Sequence, residues 1–313
     1  MLHNDKAVFE ETILKTSEYL GVKVEIVEKD YYVTLFLKEL VTAMPDIIFK
    51  GGTSLSKCYH VIKRFSEDID LNIQSENKPS ESKRKKMKSS ILDVISNLEF
   101  TLTNPESIRS RRDYNRYVID YPSVMSADYL KEQLIVETAV YQRAYPTKIM
   151  KADSLIYQFL SDNGYDDFIL QNDLQPFELN VQTAERTMID KIFALADYYM
   201  LGSISEHSRH IYDIYKLSGI VPIDDTLRDL ALSVAQERKP HKMCLSVQDG
   251  INVTEILKEI ILKDVYKDDY NAITIPLLFE DVTYEQAIKA LTDIFEKIII
   301  IGERNFEFPS SFD

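Results

Sequence analysis

Apolar residues recur at two different spacings along this chain. Over Glu10–Leu40 residues such as Val33 and Leu37 return at helical spacing, and Pro45 follows the segment. Residues 68–73 alternate instead, which is typical of a strand with one polar and one apolar face. The first third of the chain therefore predicts both helices and strands.

A strand, a glycine turn and a helix are predicted just before the alternating segment. Asp46–Phe49 is predicted to be a strand, and Gly51–Ser54 a turn that opens a helix through Val61. In the strand Asp68–Ile73, the aspartates share one face. The predicted order is strand, glycine turn, helix, strand.

The remaining segments divide the chain into a mixed half and a helical half. A basic amphipathic helix is predicted over Lys83–Leu98, and strands over Phe100–Thr103, Arg116–Tyr121 and Leu134–Val140. Beyond Asp153 the helical spacing dominates, with helices predicted over Thr183–Met200, Arg209–Leu217, Val253–Leu262 and Tyr284–Ile300, and with a capping box at Ser203 and Glu206. The fold class is thus α+β, with a mixed-sheet domain over residues 1–150 and a mainly helical domain over residues 151–313.

Composition narrows the class of protein. With 45% hydrophobic and 28% charged residues, the chain falls in the soluble globular range. Cys58 and Cys244 stand far apart without a CxxC pair, which disfavours a disulfide framework and a zinc knuckle. No apolar run approaches the ~20 residues of a membrane span, and Met1–Glu10 carries charges where a signal peptide is apolar. We expect a cytoplasmic protein without a membrane partner.

The chain is strongly acidic, except in one stretch of sequence. Lys plus Arg total 37 against 51 Asp plus Glu, which disfavours general binding to polyanions. Residues 83–116, here called the basic patch, hold nine basic and four acidic side chains. This stretch predicts either a solvated helix face or a surface that contacts phosphates of RNA or a nucleotide.

Candidate chemistry lies at the glycine turn and the alternating strand. Asp68 and Asp70 point the same way about 6–7 Å apart, which suits a divalent-metal site. Gly51, Gly52, Thr53 and Ser54 offer backbone N–H groups and a hydroxyl to phosphates. No GxxxxGK[ST] occurs, so a Walker A site is excluded.

Five sequence segments carry a resemblance to a known family. They are Glu28-Lys29-Asp30-Tyr31-Tyr32-Val33, Phe49-Lys50-Gly51-Gly52-Thr53-Ser54-Leu55-Ser56-Lys57, Phe65-Ser66-Glu67-Asp68-Ile69-Asp70-Leu71, Glu185-Arg186-Thr187-Met188-Ile189-Asp190-Lys191 and Arg209-His210-Ile211-Tyr212-Asp213-Ile214. In this order they resemble the AbiEii-type nucleotidyltransferase toxins, which share the core of DNA polymerase β. The resemblance spans about residues 25–220 and does not reach the tail after Ile220.

The resemblance implies a role for each matching residue. Asp68 and Asp70 would hold Mg²⁺, or Mn²⁺ in its place. The nucleotide-binding set would be Gly51, Gly52, Thr53, Ser54, Lys57, Ser66 and Arg209. Lys191 would pair with the triphosphate, and Asp213, held by Arg209, would be catalytic. Lys191 and Asp213 would extend from the helical domain into the nucleotide-binding cleft. Considered alone, Lys191 would be a solvated charge and Asp213 part of a helical ion pair.

Two further positions keep alternatives open. Glu137 lies within an apolar strand, where it is either a third catalytic carboxylate or an edge residue facing water. His210 is favoured as a hydrogen-bonded core or capping residue, and with His207 it lacks a third metal ligand nearby.

The resemblance implies an Mg²⁺-dependent transferase that moves a nucleoside monophosphate from an NTP to an acceptor hydroxyl. An RNA such as the tRNA acceptor end is the expected acceptor, and a cognate antitoxin the expected partner in a toxin-antitoxin or phage-defence pair. The alternatives are an NTP sensor without turnover, and a transferase that modifies protein or a small molecule.

Overall fold

The computed structural model describes residues 1–66, 68–75, 78–125 and 132–301, so Glu67 of the third segment lies outside the described residues. The chain divides into two compact units. The first comprises Met1–His60 and Phe65–Gln182, and the second Val61–Arg64 with the chain from Thr183 onward. This division differs from the expected one at residue 150, because a strand pair that continues to Gln182 completes the sheet of the first unit.

The described residues of the first unit contain one seven-stranded mixed sheet. Its strands are β1 (Ile47–Lys50), β2 (Asp68–Ile73), β3 (Thr101–Leu102), β4 (Tyr114–Asp120), β5 (Gln133–Ala139), β6 (Thr147–Ala152) and β7 (Phe177–Gln182). Their order across the sheet is β3-β4-β5-β2-β1-β7-β6. Strand β2 is antiparallel to β1 and parallel to β5, which puts it at the centre.

Helices cover one face of this sheet. They are α1 (Lys6–Leu20), α2 (Val24–Ala43), α4 (Glu81–Asn97), α5 (Leu155–Asp162) and α6 (Asp166–Gln171), while the short helix α3 (Gly51–Lys57) directly follows β1. Ile69 and Leu71 of β2 join a buried cluster with residues such as Phe36 of α2 and Ile91 of α4. The alternate residues of β2 therefore face away from this core.

The second unit is helical. Its helices are α7 (Ala184–Met200), α8 (Arg209–Ser218), α9 (Asp225–Arg238), α10 (Val253–Leu262), α11 (Lys267–Asp269) and α12 (Tyr284–Ile301). The remaining described elements of the two units are short turns. They are a π turn at Tyr270–Thr274 and 3₁₀ turns at Leu2–Asn4, Pro105–Ser107, Leu245–Val247 and Ile275–Leu277. The segment Val61–Arg64 belongs here: the N–H of Phe279 donates to the carbonyl of Lys63 at 2.8 Å.

The structure confirms the α+β class, corrects three predicted features and adds two strands. The N-terminal helix is broken at Gly21, whose φ of 67° ends α1 in the left-handed region. Helix α3 ends at Lys57, short of Val61. Strands β6 and β7 were not predicted. The capping box at Ser203 and Glu206 is wrong, because the carboxylate of Asp269 accepts the N–H groups of Glu206 and Ser208 instead.

Candidate active site

A row of charged residues crosses four neighbouring strands on one face of the sheet, the face that bears the aspartates of β2. Asp70 is in register with Lys50 of β1 and with Glu137 of β5, which is in turn in register with Arg116 of β4. Side chains at paired positions project to the same face, and Asp68 shares it at a spacing of two. The two aspartates and Glu137 are therefore side by side, opposite the apolar core.

Glu137 is held by two residues of β4. Nε of Arg116 lies 3.4 Å from Oε1 of Glu137. Burial and a hydrogen bond to Glu137 raise the pKa of Tyr114, so that its phenol stays protonated and donates to the carboxylate. Glu137 thus lies next to Asp70 with a cation and a donor fixed against it; its part as a third carboxylate stays a prediction.

The glycine turn lies against Asp70. Gly51 has a φ of 75°, in the left-handed region, and a Cβ at this position would come within 1.9 Å of Oδ2 of Asp70. Only glycine tolerates both conditions without displacing the aspartate. The beginning of α3 and the carboxylate of Asp70 are thus in direct contact.

The hydroxyls of the turn are bonded within the protein. Oγ1 of Thr53 lies 2.9 Å from Oγ of Ser66, which joins the turn to the segment before β2. The hydroxyl of Ser54 is buried and donates to the carbonyl of Gly51 at 2.8 Å. Gly51, Gly52 and Thr53 nevertheless begin a helix, whose first N–H groups have no partner within the helix.

Lys57 requires a correction. Its ammonium is buried and bonds to Oδ1 of Asp30 at 2.5 Å and to Oγ1 of Thr34 at 2.5 Å. The other oxygen of Asp30 accepts the N–H of Leu155 at 2.8 Å. Lys57 therefore links α3 to α2 within the core. The expectation that its ammonium binds a nucleotide is wrong, because Asp30 and Thr34 already bind that group.

Lys191 and Asp213 meet in the second unit. Asp213 is fully buried and takes a bidentate pair of 2.7 Å bonds from Arg64. Nζ of Lys191 lies 2.7 Å from its Oδ2. Burial alone would raise the pKa of Asp213, but the charges of Arg64 and Lys191 outweigh it and hold that pKa well below its usual range.

The expected pairing of Arg209 with Asp213 is wrong, because Arg64 and Lys191 occupy both carboxylate oxygens. Arg64 was missed from the sequence, since it stands 149 residues from its partner. Burial, with the charges of Lys191 and Arg209, lowers the pKa of His210 well below its usual value, so His210 stays neutral. The ring of His207 stacks on the ring of Tyr198, with the two centroids 3.4 Å apart.

The aspartate pair is chemically suited to magnesium. Within the described residues, no group of three or more His, Cys, Asp or Glu side chains forms a complete metal cluster. Mg²⁺ usually takes one or two protein carboxylates and completes its shell with phosphate oxygens and water. Two carboxylates on one strand face, with a helix beginning beside them, fit that requirement.

Nearby carboxylates neutralise part of the basic patch. Glu81 lies 3.1 Å from Lys85 and 3.4 Å from Arg111, and Asp113 lies 3.2 Å from Arg84. Arg111 still exposes 85% of its side chain. A cationic surface therefore remains around the turn before β4.

Comparison with solved structures concerns the fold of the chain. MenT4, a nucleotidyltransferase toxin from Mycobacterium tuberculosis H37Rv, superposes with a TM-score of 0.54 at 15% identity, covering 92% of this chain and 89% of that one. A putative nucleotidyltransferase from H. pylori gives a TM-score of 0.47 at 15% identity, covering 91% of this chain and 100% of that one. No curated protein sequence matches.

A sequence comparison identifies the family of this chain. The sequence profile described as nucleotidyl transferase AbiEii toxin, Type IV TA system, matches residues 35–297. Since this is most of the chain, the protein belongs to the AbiEii nucleotidyltransferase toxin family and is a nucleotidyltransferase. The predicted resemblance is confirmed, and of its five segments only Glu28–Val33 lies before the match. The match also passes Ile220, where the resemblance was expected to stop. Membership implies an NTP substrate and an antitoxin partner.

The described helices include none that is both long and apolar enough to cross a bilayer.

Proposed function

We propose that this toxin transfers a nucleoside monophosphate from an NTP to a hydroxyl of RNA, such as the acceptor end of tRNA, with Mg²⁺. The contact between Gly51 and the carboxylate of Asp70 carries the proposal. It joins the start of α3, which would receive the phosphates, to the carboxylate on β2, which would hold the metal. In the cell, transfer would inactivate the RNA, and the cognate antitoxin would counteract it as part of a phage defence.

Asp68 and Asp70 would hold Mg²⁺, or Mn²⁺ in its place. The bound cation would neutralise the charge that develops on the departing pyrophosphate. The N–H groups of Gly51, Gly52 and Thr53 would orient the phosphate chain. Ser54, with its hydroxyl bonded to Gly51, would shape the turn and leave the phosphates to the backbone.

Glu137 would act as the base in this scheme. The acceptor hydroxyl oxygen forms a bond to the α-phosphorus, the bond between the α-phosphorus and the bridging oxygen breaks, and the hydroxyl proton passes to Glu137. Pyrophosphate leaves with the bonding electrons. Arg116 and Tyr114 would hold the Glu137 carboxylate in position. The expected substrate contacts of Lys191, Asp213, Ser66 and Arg209 stay predictions.

RNA is favoured over other acceptors by the basic patch. Arg111 and Arg112 are exposed there in an otherwise acidic protein. A polymer of phosphates gains from such a surface, whereas a small uncharged acceptor gains little.

The test is transfer of label from each α-labelled NTP into total tRNA and total protein, with Mg²⁺. We expect label in tRNA, reduced at least about a hundredfold by Asp70→Ala. Glu178→Ala, which removes an exposed carboxylate from β7 of the same sheet, is the matched control and should transfer normally. Label in protein alone would replace the RNA acceptor, and NTP binding with no transfer to either pool would indicate a sensor.

A further inference from the structure

Lys50, the last residue of β1, completes the charged row that contains Asp70 and Glu137. It is directly opposite Asp70 in the antiparallel pair of β1 and β2. Its backbone is still extended, with a φ of −143° and a ψ of −170°, although α3 begins at the next residue. Residues directly opposite each other in a sheet project to the same face, with Cβ atoms about 4.5–5.5 Å apart. The side chains of Lys50 and Asp70 therefore emerge side by side.

These two opposite charges are nevertheless unpaired. Among the described residues, Nζ of Lys50 makes no hydrogen bond and has no carboxylate oxygen within 4.0 Å. In the same part of the chain, the carboxylate of Asp70 accepts no hydrogen bond and has no basic nitrogen within 4.0 Å. Both residues are half-buried. The ammonium and the carboxylate are thus each available to a ligand.

The orientation of Asp70 accounts for the missing ion pair. Its Oδ2 lies against the backbone of Gly51, 1.9 Å from the place that a Cβ would take. At the other end of the row, Arg116 does approach Glu137, at 3.4 Å. Opposite charges on neighbouring strands ordinarily attract each other. A free ammonium beside a free carboxylate therefore favours a ligand that carries charges of both signs.

A complex of Mg²⁺ with a triphosphate carries both signs of charge. Proteins usually bind Mg²⁺ through one or two carboxylates together with phosphate oxygens of the substrate. A cation on Asp70 would bring those phosphates next to this carboxylate. The ammonium of Lys50, on a flexible four-carbon stem, starts from the directly opposite position. Lysine is also a common phosphate ligand.

We propose that Lys50 binds the phosphate chain of the NTP directly. The inference rests on the proposed function, because it takes Asp70 as a metal ligand. Lys57 was expected to supply a cation from the same segment, but Asp30 and Thr34 bind its ammonium. Lys50 would supply that cation instead, and its charge would also stabilise the departing pyrophosphate.

The test measures the affinity for phosphates rather than transfer. Each of the four NTPs and inorganic triphosphate are titrated into the full-length protein by calorimetry, once with Mg²⁺ and once with EDTA. Lys50→Gln should weaken the binding of NTP and inorganic triphosphate by about tenfold or more in both conditions, since charged hydrogen bonds are lost. Lys50→Arg keeps a cation and should recover most of the lost affinity.

Lys151→Gln is the matched control. Lys151 is exposed on β6 of the same sheet, where it is opposite Glu178 instead of Asp70. The substitution removes the same charge from the protein and should leave both affinities unchanged. Urea unfolding provides a second control. Because the ammonium of Lys50 has no partner among the described residues, Lys50→Gln should keep the free energy of unfolding of the native chain.

A role in which Lys50 acts only through Asp70 gives a different result. The loss of affinity caused by Lys50→Gln would then disappear in an Asp70→Asn background, where the carboxylate is already neutral. A direct contact with phosphate predicts that the loss of about tenfold persists in that background, measured with EDTA. A loss that depends on Asp70 would therefore overturn the proposal.

The outcomes separate this proposal from the transfer reaction. Equal triphosphate affinities of the native chain and Lys50→Gln would overturn it, even if label enters tRNA. Triphosphate binding that depends on Lys50, without transfer to any acceptor, would support it while the proposed reaction fails. A native chain that binds neither NTP nor inorganic triphosphate would overturn both.

Discussion

At the scale of single residues, Gly51 couples the turn to the metal-binding candidate. Gly51→Ala adds a methyl group within 1.9 Å of Oδ2 of Asp70 at a φ of 75°. We expect the carboxylate to be displaced and transfer to fall at least about tenfold, with a backbone cost of about 1–2 kcal/mol. Transfer is measured with labelled NTP, and stability by urea unfolding.

Gly164 provides the matched control for this substitution. Its φ is 73°, nearly that of Gly51, but an added Cβ meets no atom within 4 Å. Gly164→Ala should therefore lose similar stability while keeping transfer. Equal transfer by both variants would show that contact with Asp70 does not govern the reaction.

Single residues differ in how far the sequence predicts them. The common face of Asp68 and Asp70 follows from the period of a strand, which is local information. The burial of Lys57 does not follow from local sequence, because its partners Asp30 and Thr34 belong to another helix. The sequence thus identifies which residues carry charge, whereas their partners depend on the tertiary fold.

At the scale of elements, Asp213 joins α7, α8 and the segment Val61–Arg64. Asp213→Asn would leave Arg64 and Lys191 buried without a counter-charge, and we expect a loss of about 3–5 kcal/mol in the free energy of unfolding. Asp229→Asn, on an exposed face of α9, should change it little. Urea unfolding at neutral pH measures both variants. Normal stability with lost transfer in Asp213→Asn would indicate a catalytic rather than a structural residue.

This cluster also predicts a dependence on pH. Because Arg64 and Lys191 hold the pKa of Asp213 below its ordinary value of 3.8, the stabilisation is fully present above that value. It is lost as the pH falls through the lower pKa of the folded state. The stability gap between the native chain and Asp213→Asn should therefore shrink progressively as the pH falls below about 4, because the unfolded chain then binds a proton at Asp213 that the folded protein does not.

The elements themselves were predicted where one period dominates. The bounds of β2 and α10 agree with the expected Asp68–Ile73 and Val253–Leu262. Strands β6 and β7 escaped because they flank the helices α5 and α6, whose spacing masks a short alternation. The predicted capping box is absent because the carboxylate of Asp269, distant in sequence, accepts the N–H groups of Glu206 and Ser208 just before α8.

At the scale of the whole molecule, the net charge of −14 would repel RNA everywhere except near a cationic surface. The basic patch provides one such surface, although Glu81 and Asp113 neutralise part of it. Binding of RNA should thus be more sensitive to a few arginines than in a basic protein, where many lysines share the contacts.

Arg111 and Arg112 are two exposed arginines of this basic patch. Arg111→Ala with Arg112→Ala should weaken RNA binding and reduce the slope of log K against log salt by about 1.4, at about 0.7 for each lost phosphate contact to a single strand. NTP affinity should change little, because these exposed side chains lie on the turn before β4 and Asp70 is on β2. Lys6→Ala with Lys15→Ala removes the same charge from α1 and should keep the slope. Filter binding over a salt series measures RNA, and calorimetry measures NTP. Equal loss of both ligands, or an unchanged slope, would remove the basic patch from RNA recognition.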